Sequence, residues 1–151
     1  NDERYRIADF DSGGAGLFST AFDYMIFAEC LRNGGEYNNN RILGTKTLKY
    51  MIKNHLPLNV LGIGRGESPN DPAISSTTFG LGFGILNDPA VNSVIGSKGS
   101  YSWGGAAGTV FWVDPVENLV VVSMIQLMNS PWTLRNDLRV SVYQALVESY
   151  E

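Results

Sequence analysis

Apolar and polar positions alternate along the chain with two periods, one helical and one extended. Between Thr20 and Arg32, Ala21, Tyr24, Met25, Ala28 and Leu31 recur at helical spacing, which predicts a helix. Ser19 or Thr20 can cap its start, Asp23 sits in its first turn, and Asn33-Gly34-Gly35 ends it. Phe22, Ile26, Phe27 and Cys30 are apolar as well, so this helix is covered on most sides and implies a larger body around it. Thr45 to His55 predicts a second helix, with Leu48, Met51 and Ile52 inward and Lys46, Lys49 and Lys53 outward. A third opens at Ser130-Pro131, a capping serine before a proline suited to the first helical position. Leu134, Leu138, Val142, Ala145 and Leu146 form its inner face.

The extended pattern lies between the second and third helices. Phe79 to Ile85 alternates large residues with glycine, which predicts a strand with one bare face that another backbone can approach closely. From Gly99 to Leu127 the pattern predicts an antiparallel meander. Tyr101 and Trp103 are bulky and two apart, on one strand face. Gly104-Gly105 follows at a corner, Thr109 to Val113 alternates again, and Asp114 to Asn118 is a turn. Leu119 to Leu127 is apolar on both faces except at Ser123 and Gln126, and reads as a central, doubly covered strand. The fold class is therefore α+β: an antiparallel sheet of at least three strands flanked by helices, an α/β sandwich. No internal repeat or domain boundary interrupts it.

The connections are polar. Asn1 to Phe10 reads as a linker or as part of a preceding element, and Glu36 to Arg41 and Asn87 to Gly99 read as loops. Leu58 to Ser76, rich in Gly, Pro, Asn and Asp, is a long loop of the kind that often forms a lid or rim. With 151 residues, 44% hydrophobic and 17% charged, the chain suffices for one domain with a real core. The net charge of −4 gives no basic surface for nucleic acid or an anionic membrane. No apolar run approaches ~18 residues, so no transmembrane helix is expected. No signal peptide is evident, but the chain begins at Asn1 rather than Met, so an N-terminal segment is expected to be missing. The compartment, cytoplasmic or periplasmic, stays open.

Few residues offer chemistry. Cys30 is the only cysteine, with no nearby cation or histidine to lower its pKa, and reads as a small core residue. His55, the only histidine, reads as a helix-end group near exposed carbonyls, with a general base as the alternative. Ser12 to Gly16 has neither the dinucleotide nor the P-loop spacing and reads as a close-packed turn. One histidine and one cysteine cannot build a zinc cage, so no metal and no cofactor is expected. Gly-x-Ser-x-Gly is absent.

Trp103-Gly104-Gly105, the hairpin after it and the Trp112-Val113-Asp114-Pro115 turn resemble the third active-site motif of the serine β-lactamase-like superfamily. Class C β-lactamases and penicillin-binding proteins carry Lys-Thr-Gly or His-Thr-Gly there. The Trp-Gly-Gly form resembles family VIII carboxylesterases, as do the stretch from Ser12 to Tyr24 and Asn33-Gly34-Gly35. The resemblance implies the C-terminal portion of a β-lactamase/transpeptidase-like fold. It also implies a mechanism in which a serine of Ser-x-x-Lys attacks a carbonyl, while the lysine and a tyrosine move the proton. Two backbone N–H groups would hold the oxyanion, one of them just after the third motif at Ala106, with Gly105 beside it. Trp103, Gly104 and Tyr101 would contact substrate. Core packing is the alternative role for Trp103, as for any tryptophan in a small sheet.

The other motifs of that family are missing. No Ser-x-x-Lys occurs, and Tyr37-Asn38-Asn39 matches Tyr-x-Asn in letters only, in the wrong place. The resemblance thus implies that residues 1–151 are the C-terminal part of one longer domain. Its nucleophile and base would lie upstream, and its substrate would be a small ester or amide. The expected activity is a carboxylesterase working through an acyl-enzyme, with the isolated chain inactive. The alternatives are a catalytically silent scaffold or binding protein, and a β-lactamase or D-Ala-D-Ala peptidase.

Overall fold

The structure is a computed structural model that describes residues 13, 14, 17–57, 60, 62, 63, 76–128 and 133–150. Helix α1 (Ala21–Arg32) is capped by Thr20, whose hydroxyl accepts the Asp23 N–H at 3.1 Å. At its end the Gly34 N–H donates to Leu31 O at 3.0 Å and the Gly35 N–H to Cys30 O at 2.8 Å. This paired closure needs a left-handed residue after the cap, and Gly34 supplies it at φ 76°.

The stretch expected to be a loop, Glu36 to Arg41, forms a small hairpin instead. Strand β1 (Glu36–Tyr37) pairs antiparallel with β2 (Asn40–Arg41). Asn38 and Asn39 turn it at φ 48° and 63°, and asparagine is among the few non-glycine residues that accept two successive left-handed positions. Helix α2 (Thr45–Met51) is shorter than Thr45 to His55, since Ile52 already caps it. Leu48 is buried, Met51 and Ile52 are half-buried, and the three lysines face outward as expected.

Five strands form the main sheet in simple chain order: β3 (Thr77–Phe79), β4 (Gly84–Leu86), β5 (Tyr101–Gly104), β6 (Val110–Asp114) and β7 (Leu119–Ser123). All four pairings are antiparallel. Phe79 to Ile85 is therefore a hairpin corner and not one strand. Gly82 turns the chain at φ 99°, and the Gly80 N–H closes on Phe83 O at 2.8 Å. The expected close approach does occur at Gly80, where a Cβ would lie 2.1 Å from Met51 O of α2. Leu119 to Leu127 is corrected on two points: the strand stops at Ser123, and among the described residues it is the sheet's edge. Its apolar side chains stand perpendicular to the sheet and report coverage of its faces, not pairing at its sides.

One face of the sheet packs on α1. Ala28 and Leu31 of α1 meet Phe83, Tyr101, Phe111 and Val113, with Tyr24, Val120 and Val122 around them. Arg32 ties the helix to the sheet by donating to Asn118 Oδ1 at 2.8 Å. The other face carries α3 (Leu134–Tyr143). Ser130-Pro131 lies outside the described residues, and the described helix starts after Thr133. Leu134, Leu138 and Val142 are half-buried, but Ala145 and Leu146 follow the helix end and are exposed. The buried anchor is Tyr143, which stacks on Trp112 at 6.4 Å between ring centroids. A hydrophobic-stripe reading passes over an aromatic that buries its ring and keeps a polar tip.

Candidate active site

The corner between β5 and β6 is a closed turn. The Gly105 N–H donates to Thr109 O at 2.9 Å and the Gly108 N–H to Gly105 O at 3.1 Å. Gly108 takes φ 91°, and a Cβ there would lie 2.4 Å from Ile125 Cδ1. The chain after β7 braces the turn through the Leu127 N–H, which donates to Ala107 O at 2.9 Å. From α3, Arg135 Nη2 donates to Gly105 O and to Thr109 O, the latter at 3.1 Å. A Cβ on Gly104 would lie 2.9 Å from Arg135 Cζ, and one on Gly105 would lie 2.4 Å from Thr109 Oγ1. The two glycines thus admit a guanidinium and a hydroxyl against the backbone.

Trp103 is 49% exposed and meets Phe79 edge-on at 5.0 Å. It stands on a ridge between two cavities, and Trp103, Gly104 and Val110 line both. The cavity on the α1 side, about 590 Å³, is also walled by Leu17, Phe18, Tyr24, Gly105 and Phe111. The cavity on the α3 side, about 340 Å³, holds Arg135, Arg139, Asn92 and Ser102. Gly105 lines the first, whereas Ala106 is exposed at the tip of the turn. Among the described residues, the Ala106 N–H has no hydrogen-bond acceptor. Tyr101 is 1% exposed, packed on Phe83 at 5.3 Å, and lines neither cavity. Burial drives its phenol well above the ordinary range.

Cys30 and His55 fall where the sequence suggested. The Cys30 thiol is buried, and burial pushes its pKa up. His55 Nε2–H donates to Tyr50 O at 2.7 Å in the last turn of α2, and its ring meets Tyr50 edge-on at 4.5 Å. Of Ser12 to Gly16, only Gly13 and Gly14 are described, and they are not close-packed: both are exposed, and a Cβ on either would meet nothing within 4 Å. Most of Leu58 to Ser76 lies outside the described residues. Among the described residues, no group of three or more His, Cys, Asp or Glu could hold a metal, and no helix is long and apolar enough to cross a membrane. The sequence reading missed Arg135, and it placed Tyr24 on a helix face without bringing it to the cavity. Arg135 carries no signal in a periodicity, because a single polar residue on a helix looks solvated until its neighbour across the fold is known.

A sequence model of the beta-lactamase family matches residues 1–144. The chain belongs to the beta-lactamase family. Proteins of this fold are generally hydrolases. Protein Rv1367c of Mycobacterium tuberculosis (strain ATCC 25618 / H37Rv) is 31% identical over 129 residues, covering 78% of this chain and 29% of that protein. A Salmonella typhi protein provisionally named D-alanyl-D-alanine carboxypeptidase is 28% identical over 123 residues, covering 80% of this chain and 24% of its own length. The chain thus spans under a third of the relatives it matches. Among solved structures, EstCE1, described as a hydrolase with promiscuous acyltransferase activity, superposes with a TM-score of 0.67 at 25% identity, over 88% of this chain and 31% of that one. Simvastatin synthase (LovD) from Aspergillus terreus shares the fold with a TM-score of 0.68 at 22% identity, over 98% of this chain and 40% of that one. The resemblance read from Trp103-Gly104-Gly105 and the α+β architecture are both borne out at this level.

Proposed function

We propose that this beta-lactamase-family chain supplies the substrate wall and one oxyanion donor of a serine esterase acting on short, uncharged esters. The observation that carries the reading is Trp103, a half-exposed indole set on a braced glycine turn at the rim of a cavity of about 590 Å³. The nucleophile and base belong to an upstream Ser-x-x-Lys segment of a longer domain, a reading supported by the greater length of the relatives. In this scheme the serine Oγ attacks the ester carbonyl carbon and its proton passes to the lysine–tyrosine pair. The carbonyl electrons move to oxygen, where the Ala106 N–H and the serine N–H hold them. Collapse breaks the C–O bond, and the alkoxide takes the proton and leaves as the alcohol. Water then repeats the sequence on the acyl-enzyme, releasing the acid and restoring the serine.

The test joins this chain to an upstream Ser-x-x-Lys segment and measures hydrolysis of p-nitrophenyl acetate, with mass spectrometry for the acyl adduct. Turnover with an acetyl adduct on the serine, both lost on Ser→Ala, is the expected result. Binding without acylation would make the protein a silent scaffold. Faster turnover of a D-Ala-D-Ala peptide or a cephalosporin would make it a peptidase or a β-lactamase, as the provisional name of the Salmonella relative suggests.

A further inference from the structure

Gly105 C=O and Ala106 N–H belong to one peptide unit. The structure has no cis peptide among its described residues, so this unit is trans and its N–H points opposite to its C=O. The C=O accepts from Arg135 Nη2, on the α3 side of the sheet. The same C=O also accepts the Gly108 N–H across the turn at 3.1 Å, so the Ala106 N–H is turned away from both donors, at a turn whose Gly105 lines the cavity walled by Tyr24 and Phe111. The guanidinium also donates to Thr109 O, so it spans both ends of the turn. A charged donor on a carbonyl polarises the whole amide and makes its N–H a stronger donor.

We infer that Arg135 is a positioning residue for the oxyanion site: it aims and polarises the Ala106 N–H through the Gly105 carbonyl. This rests on the esterase reading above. Several features of the site fit the role. Arg135 has no carboxylate partner among the described residues; its hydrogen bonds go to the two turn carbonyls. Gly104 leaves room for it, since a side chain there would strike the guanidinium. Any loss of Arg135 should therefore act on the transition state, where the donor is used, more than on substrate binding.

The test uses the longer protein that carries this chain behind its Ser-x-x-Lys segment, with Arg135→Ala and Arg135→Lys. For a short p-nitrophenyl ester, Arg135→Ala should lower kcat about 10- to 100-fold, a part of the loss that follows deletion of an oxyanion donor. KM should change little, millimolar guanidinium should restore part of kcat, and Arg135→Lys should lose less. With 13C-glycine and 15N-alanine labelling, which reports Gly–Ala peptides, the Gly105–Ala106 signals should shift in both variants. An unchanged kcat, a loss confined to KM, or unmoved Gly105–Ala106 signals would overturn the inference. Should Arg135→Ala not fold, Arg135→Lys decides on the same readouts. Should the parent show no esterase turnover, the esterase reading fails instead, and the labelled signals alone judge Arg135.

Discussion

The Tyr143 hydroxyl donates to Asp114 Oδ2 at 2.5 Å, and this contact pins α3 to the β6–β7 turn. Asp114 is fully buried with no exposed surface. Its Oδ2 also accepts the Ser97 N–H at 3.0 Å, and its Oδ1 accepts Val116 N–H at 3.1 Å and Glu117 N–H at 3.3 Å. Around the same point, the Arg139 guanidinium lies 4.8 Å over the Trp112 ring. Burial holds the Arg139 pKa down, against a smaller upward pull from Tyr143 and Asp114. A buried carboxylate tolerates this site because donors surround it.

Tyr143→Phe keeps the ring on Trp112 and removes one donor from that carboxylate. The carboxyl keeps its three backbone donors, and losing this one hydrogen bond should cost about 1 kcal/mol. Urea unfolding should show that loss with an unchanged m-value. A loss under about 0.5 kcal/mol would mean that the hydroxyl is replaced by water at no cost.

Alkaline pH should weaken the fold. Burial raises the pKa of both Tyr101 and Tyr143 above the ordinary phenol value, and the Asp114 hydrogen bond adds to the shift at Tyr143. Above about pH 10 the unfolded chain releases these protons while the folded chain keeps them. The unfolded state then binds fewer protons, so stability falls as pH rises. Each tyrosine contributes a slope of up to about 1.4 kcal/mol per pH unit. Thermal melts from pH 8 to 11 should fall late, and Tyr143→Phe should flatten that fall.

Gly80→Ala should destabilise through backbone. The added Cβ would lie 2.1 Å from Met51 O, and the neighbouring Leu81 N–H donates to that same carbonyl at 2.8 Å. Neither atom is a flexible side-chain end, so α2 must move off the hairpin, at a cost of about 2–3 kcal/mol. A melting temperature within a degree of the parent would show that α2 shifts freely.

How far the sequence carried differs by element and by cause. Local signals held: Ser19 or Thr20, Asn33-Gly34-Gly35 and the helical spacing located α1 to within a residue at its start and gave its end, with Thr20 as the cap, because caps and periodicity act within a few residues. The Asn38-Asn39 turn was within reach, since consecutive left-handed positions favour asparagine, but three adjacent asparagines also look like plain loop. The edge position of β7 was not legible, because pairing partners are set by distant chain. The site divided in the same way. Trp103 and the glycines were visible as a motif, whereas Tyr101 was grouped with Trp103 by alternation though α1 covers only its end of the strand. Arg135 became meaningful only once the fold set it against Gly105, 30 residues away.

Trp103 should set substrate choice. β-Lactams and peptidoglycan peptides carry a carboxylate near the reacting carbonyl, and a cation or hydroxyl suits that charge. Here the position holds an indole, which has one N–H donor, no charge and a broad apolar face. Its neighbour Phe79 and the facing wall of Leu17, Tyr24 and Phe111 are apolar or aromatic too. Charge-assisted hydrogen bonds are roughly twice as strong as neutral ones, so on the proposed esterase reading carboxylate recognition should be weak and contact with an uncharged acyl or alcohol group strong. Trp103→Lys adds a cation on the same ridge, where half exposure leaves it solvated at modest cost. With this chain joined to the proposed upstream Ser-x-x-Lys segment, kcat/KM for a short-chain ester should fall and that for a chromogenic cephalosporin should rise. Their ratio should move at least about tenfold, the equivalent of one neutral hydrogen bond exchanged for a charged one. If the parent already favours the cephalosporin, or if the ratio stays put in Trp103→Lys, selectivity is set elsewhere on the cavity wall.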